Sequence, residues 1–252
     1  MDEMKTIEAA TIDATEVHYR QLNARLRALA ESGAGKITIN NVCGQRYIGT
    51  DLRGAVSVDI HGTPGNDMGA FMDGPTITVY GNAQDGTGNT MNEGRIVIHG
   101  RAGDITGLSA RGGEIYVRDG VGYRAGIHMK EYNEKRPALV IGGTVQDFAG
   151  EYMAGGVMVL LGIGVEGGRH TANFIGTGMH GGVIYYRGYI EERQLGKEVG
   201  SSPMSDDDTK QVTRLVNTYS SLFGIDAAGI LQSGFTRLYP KYLRPYGRLY
   251  TY

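Results

Sequence analysis

Four sets of residues in this chain have types and spacings that could do chemistry. Two glycine runs, Gly162-Ile163-Gly164-Val165-Glu166-Gly167 and Gly176-Thr177-Gly178-Met179-His180-Gly181, match the dinucleotide spacing G-x-G-x-x-G. That spacing holds a pyrophosphate where a helix opens on the glycines and an acid follows about 20 residues on. Here His170 to Gly182 has no helical period and the next element reads as a strand, so both runs are assigned to chain corners. Asn66, Asp85, Asp104, Asp147 and Glu166 recur in register, interrupted by Tyr123, like a calcium ladder, but one acid per turn is what turn chemistry alone supplies. His61 and His99 share an outward column with Tyr80 between them. Two layers put them about 9.6 Å apart, too far for one zinc ion. Cys43 stands where later repeats have Gly62, Gly81 and Gly100, has no histidine–acid pair near it in sequence, and reads as a small buried residue. No catalytic, cofactor-binding or metal-binding residue is therefore assigned.

The elements that would position such residues are set by a repeat. Stepping by nineteen from Ile96 reaches Ile77, Val58 and Ile39 in one direction and Ile115 in the other, and Leu139, Met158 and Ile184 continue the series after insertions. A second column holds Ile60, Val79, Ile98, Val117, Ile141, Leu160 and Tyr186, with Asn41 breaking it at its start. Gly69, Gly88, Gly107, Gly126, Gly150 and Gly176 form a third, and Met72, Met91, Ala110, Met129, Met153 and Met179 a fourth. Self-similarity at this period is the mark of stacked coils. The expected fold is an all-β solenoid, a single-stranded right-handed parallel β-helix of about seven to eight coils, because parallel crossovers are right-handed. Its aliphatic columns face inward, and the glycines serve corners that need positive φ or close backbone approach.

Three segments follow. Residues 1–35 are an opening segment with a capping helix, in which Asp13 and Glu16 fit a capping box, Leu22, Leu26 and Leu29 share a face, and Gly33 stops the helix. Residues 36–190 are the β-helix. Residues 191–252 hold a second helix, opened by Ser205-Asp206-Asp207-Asp208 and ended by Gly224, which is expected to cap the far end of the coil stack. The tail from Phe235 to Tyr252 carries five tyrosines and four basic residues with no acid, and reads as a docking arm. Tyr239, Tyr242, Arg244 and Tyr246 of this tail, and Arg46 and Tyr47 of the irregular Asn41–Gly49 stretch, are the candidate interface residues.

Composition narrows the class. Forty-one glycines without a three-residue period, and only six prolines, exclude collagen and low complexity. A net charge of -2 gives no general drive toward nucleic acid or membrane, and no apolar run approaches the ~20 residues of a membrane span. One cysteine excludes an internal disulfide, and Met1-Asp2-Glu3 begins no signal sequence, so a cytoplasmic protein is expected.

The repeated strand-Gly-x-x-Gly pattern, the Asn41–Gly49 stretch and the opening helix resemble the GXGXG domain of glutamate synthase over about residues 14–235. The resemblance implies a β-helical, non-catalytic structural subunit of a complex. An amidotransferase partner would release ammonia from glutamine, and a synthase partner with FMN and an iron–sulfur cluster would make glutamate. Catalytic residues lie on those partners; the chain itself would hold no cofactor and bind no nucleic acid or membrane, though it could form a homo-oligomer. The β-helical component of formylmethanofuran dehydrogenase belongs to the same repeat family and is the alternative. A scaffold with unrelated partners is a third reading. A stand-alone β-helical lyase or esterase would need clustered acids, a metal set or a nucleophile–base pair in register, and none is found.

Overall fold

The computed structural model describes residues 9–242. The chain winds a parallel β-solenoid. Nine strands stack in sequence order: β1 (Ala9–Asp13), β2 (Lys36–Cys43), β3 (Ser57–Thr63), β4 (Asp73–Tyr80), β5 (Glu93–Ile98), β6 (Glu114–Val117), β7 (Ala138–Ile141), β8 (Ala154–Leu160) and β9 (Gly181–Tyr186). Helix α1 (Tyr19–Glu31) lies between the first two, and α2 (Asp206–Phe223) and α3 (Ala227–Gln232) follow the coils. Two further strands, β10 (Val199–Pro203) and β11 (Thr236–Pro240), join the same sheet antiparallel, in the order β9-β11-β10.

Register between strands reproduces the two aliphatic columns. Val58, Ile77, Ile96, Ile115, Leu139, Met158 and Ile184 pair in succession, as do Ile60, Val79, Ile98, Val117, Ile141, Leu160 and Tyr186. Nearly all are fully buried, as are the methionines of the fourth column. Each such aliphatic burial contributes about 1.5–3 kcal/mol, so the stack is the stabilising core.

The first coil departs from the expected register. Ile37, not Ile39, pairs with Val58, and Ile39 pairs with Ile60. One of the two extra residues sits in a bulge between Ile39 and Val42, where Asn41 adopts φ 59°, and the other falls between Arg53, which pairs with Asp73, and Val58, which pairs with Ile77. Asn41 is therefore the bulge, not a broken core position. Cys43 is shifted with it: Val42 pairs with Gly62 and Cys43 with Thr63, and the thiol is exposed rather than buried.

The corners explain the glycine column. Gly69, Gly88, Gly107, Gly126, Gly150 and Gly176 all adopt φ between 67° and 76°, and Gly49 is a further member, spaced by twenty residues instead of nineteen. Residues two before and two after also turn left-handed, as with Asp67 and Phe71 around Gly69. This alternation aims successive N–H groups up and down the rod. Asp67 and Phe71 donate to Asp85 and Asn89 of the next coil, and Gly69 donates to Ile48 of the previous one. A Cβ at Gly69 would point into the core, 2.8 Å from Ile96 Cδ1 and 3.0 Å from Met72 Sδ. The clash is thus with the inward aliphatic column, at the second strand after the one that leads into the corner, and not with a corner side chain stacked above.

Both ends differ from the sequence expectation in detail. Asp13 closes β1 instead of capping the helix. Its carboxylate accepts from Asn41 of the neighbouring strand and from Thr15, which holds its pKa down at about 2. Helix α1 starts at Tyr19 with His18 as its cap, and its buried Leu22 and Leu26 close the end of the core. At the other end, α2 begins at a capping box of Ser205 and Asp208 and stops at left-handed Gly224, as expected. It covers the flank of the rod rather than its end, packing Val212, Leu215, Val216 and Tyr219 on the outward residues Tyr116, Val140, Val159 and Tyr185 of β6–β9. Strand β11 pairs with β9 of the last coil instead, and β10 pairs with β11.

Two stability outcomes follow from the core. Ile96→Asp places a carboxylate among fully buried aliphatics and is expected to remove several kcal/mol, leaving little cooperatively folding protein in thermal melts. Among glycines the expected order of damage is Gly69→Val, then Gly107→Val, then Gly164→Val. A Cβ at Gly107 approaches Leu139 Cδ2 at only 3.4 Å, and one at Gly164 meets nothing within 4 Å. Denaturant midpoints showing Gly164→Val as the worst of the three would refute the inward assignment of the column.

Candidate functional site

The acids singled out in sequence bind backbone. Asp85 accepts from the N–H of Asp104, Asp104 from that of Tyr123, and Asp147 from that of Asn173, each at 2.8 Å and each one coil on. They tie coils together at the corners, and Glu166 stands outside this ladder in an exposed loop. His61, Tyr80 and His99 stack ring on ring at 4.8 and 5.1 Å, and His99 meets Phe223 of α2 edge-on. The layer between the two histidines is filled by the tyrosine ring. Burial, then the charge of Arg118, lowers the His99 pKa.

Neither glycine run opens an α-helix. Gly162–Gly167 leads into a 3-10 turn at Glu166–Gly168, and Gly176–Gly181 leads through a corner into β9. The candidate interface residues have mixed fates. Arg46 lies over the Tyr19 ring of α1 at 5.3 Å, its carbonyl accepts from Asn23, and Tyr47 remains 38 % exposed. Tyr239 is on β11, with Arg237 over its ring and Gly200 beneath it, so this part of the expected arm is a strand of the rod. A strand forms here because the last coil offers unpaired backbone groups. Tyr242 is 70 % exposed. Arg244 and Tyr246 lie outside the described residues.

Three features were missed in sequence. Glu114 binds Arg95, Arg214 and the Tyr116 hydroxyl, pinning α2 to the flank. Burial pushes its pKa up, but the hydrogen bonds from Arg214, Tyr116 and Arg95 outweigh this and hold it below the usual range. Asp208 plays the same part beneath Tyr185 and Arg237. The signal was available: the outward column runs Thr38, Asp59, Thr78 and then Val97, Tyr116, Val140, Val159, Tyr185. The change from polar to apolar marks the covered half.

The second feature is His170, 1 % exposed, whose Nδ1 is 2.8 Å from Thr144 Oγ1 and whose Nε2 is 2.9 Å from the Arg187 carbonyl. A carbonyl can only accept, so Nε2 carries the proton and Nδ1 accepts from threonine. The third is a groove of about 820 Å³ beside α2, lined by Arg101, Arg118, Asp119, Thr144, Arg169 and Ile225 among others. It is formed by corners of four successive coils, whose strands keep the long side chains in register.

Burial, reinforced by the Arg187 charge and only partly opposed by the Arg187 carbonyl, holds His170 below its ordinary pKa of 6.5. The unfolded chain then binds the proton more readily, so this contribution is full above about pH 7 and is lost as pH falls through 6.5. The expected loss approaches at most ~1.4 kcal/mol per pH unit for one proton. Melting curves between pH 7.5 and 5.5 should show a shallower slope for His170→Gln than for the parent; equal slopes would contradict the assignment.

Among the described residues no helix is long and apolar enough to cross a membrane. The GXGXG motif family matches residues 9–246. An uncharacterised protein of Methanocaldococcus jannaschii is 45 % identical over 257 residues, covering 98 % of each chain. In the crystal structure of the formyltransferase/hydrolase complex of Methylorubrum extorquens with methylofuran, one chain superposes with a TM-score of 0.61 at 20 % identity, covering 90 % of this chain and 89 % of that one. At that identity the likeness is one of fold. With a family match spanning nearly the whole coil stack, the chain belongs to the GXGXG motif family.

Proposed function

We propose that the chain is a non-catalytic structural subunit of a multi-subunit enzyme complex in the cytoplasm. The observation that carries this reading is the aromatic content of the corners. Phe71, Tyr152 and Phe174 are each about half exposed, at 48, 48 and 51 %, and all three sit at positive φ. Left-handed positions favour glycine, asparagine and aspartate, and a bulky side chain there is strained by about 1–2 kcal/mol. Phe174 stacks on Phe148 at 4.8 Å, and Tyr152 on His128 at 5.4 Å, forming an outward apolar strip that folding alone does not require. Aromatic residues concentrate binding energy at protein interfaces.

In the first form of this reading the partners are a glutamine amidotransferase and a synthase that holds FMN and an iron–sulfur cluster, and the complex serves glutamate formation. Its support is membership of the GXGXG family. In the second form the chain is the counterpart of the β-helical component of formylmethanofuran dehydrogenase. Its support is the shared fold with a chain of the formyltransferase/hydrolase complex. In both, the reacting groups are on the partners, and the isolated chain is expected to be colourless and to hold neither FMN nor NAD.

Tagging the chain in its native cell and identifying stoichiometric partners by mass spectrometry separates the two. Amidotransferase and flavin synthase polypeptides support the first, formyl-transfer polypeptides the second, and a chain that elutes alone overturns the proposal. Phe174→Ser and Tyr152→Ser are expected to weaken partner retention at least about tenfold, with unchanged or raised melting temperature. A flavin band retained by the purified chain through gel filtration would also count against it.

A further inference from the structure

We infer that the groove beside α2 is a binding site for a small elongated ligand with two oxyanionic groups, carboxylate or phosphate. The inference is independent of which complex the chain joins. Its basis is the order of side chains along one corner column. Backbone bonds run from Ala83 to the Arg101 carbonyl, from Ala102 to that of Gly120, and from Val121 to that of Thr144, so Arg101, Gly120 and Thr144 stand in successive coils. Thr144 Oγ1 then meets the ring of His170 in the next coil, and Arg169 precedes it in the chain. The column therefore reads arginine, glycine, threonine and histidine, with Arg169 beside the last position and lining the same groove. The backbones of the two arginines stand roughly 14 Å apart along the rod, three rungs at ~4.8 Å each, with short residues between them, and the Arg101 guanidinium leans inward over Gly120.

This arrangement is a notch with a cation at each end. Its floor is Gly120, Gly143 and Thr144, and its side wall is the apolar Ile163, Val165 and Ile225. A Cβ at Gly120 would lie 2.9 Å from the Thr144 carbonyl and 3.7 Å from an Arg101 guanidinium nitrogen, so the floor stays open because that position is glycine. Arg118 adds a third guanidinium. Three arginines face two carboxylates, Asp119 and Glu166, in a chain whose net charge is -2.

The arginines are unequally engaged. Arg118 pairs with its neighbour Asp119, and Arg169 with Glu191 while stacking on Tyr189. Arg101 has no carboxylate partner among the described residues. A guanidinium held over an open floor presents a fork of donors suited to a planar carboxylate or a phosphate. The apolar wall between the charges suits a ligand with a short hydrocarbon or ring segment. The volume, about 820 Å³, is that of a small-molecule site rather than a single-ion site.

Titration calorimetry of the full chain at about 50 mM salt tests this with inorganic tripolyphosphate, a series of α,ω-dicarboxylates and an acidic peptide as probes, since oxyanion contacts weaken with salt. The expected result is saturable one-to-one binding of a small dianion, with affinity varying with the distance between its charged groups. Arg101→Glu should weaken it at least about tenfold with an unchanged melting temperature, and Arg169→Gln should do so too. Arg25→Glu, on the exposed face of α1, makes the same change of net charge and should leave binding intact. Equal weakening by Arg25→Glu, or no saturable binding of any small probe, overturns the site. Binding of the acidic peptide alone also overturns it, in favour of a contact with a partner protein.

Discussion

The structure depends on one steric requirement, that each corner come within van der Waals contact of the inward aliphatic side chain on the second strand after the one that leads into it. At Gly69 the missing Cβ is replaced by the methyl end of Ile96. The same place is filled by Ile184 at Gly150 and by Met158 at Gly126. A left-handed φ brings the backbone inward at that point, and the alternating handedness around it hands one N–H to each adjacent coil. Corner conformation, core packing and coil-to-coil hydrogen bonding are thus a single arrangement. A side chain introduced at the corner disturbs all three together.

The rod is finished differently on its two flanks. Over the last coils, apolar outward residues receive α2, and the helix is fixed by carboxylates that meet arginine and tyrosine partners: Glu114 with Arg95, Arg214 and Tyr116, and Asp208 with Tyr185 and Arg237. These groups bury charge only where several donors satisfy it, which is the condition under which partly buried carboxylates are tolerated. Along the corner face, by contrast, Phe71, Tyr152 and Phe174 remain exposed in backbone conformations that disfavour them. A rod with a sealed interior and a strained aromatic edge has its capacity for interaction on the outside.

Much of this was determined by sequence alone. The register of seven consecutive strands, β3 to β9, was legible because inward residues must be aliphatic at a recurring spacing and corner residues must be glycine, so the period of the chemistry is the period of the fold. Helix α2 was legible from Ser205 to Gly224 because its capping groups and its apolar spacing agree locally. What sequence could not decide depends on long-range pairing. The slip of the first coil arises in part at a bulge that only the partner strand defines, and it moved Ile37, Asn41 and Cys43 from their expected places. Strand β1 lies across α1 from its partner, and β11 reaches the last coil only after two helices, so neither shows a local repeat. The flank chosen by α2, the buried tautomer of His170 and the two-arginine notch likewise exist only once distant coils are stacked, because tertiary register alone brings residues 101, 144 and 169 to one edge.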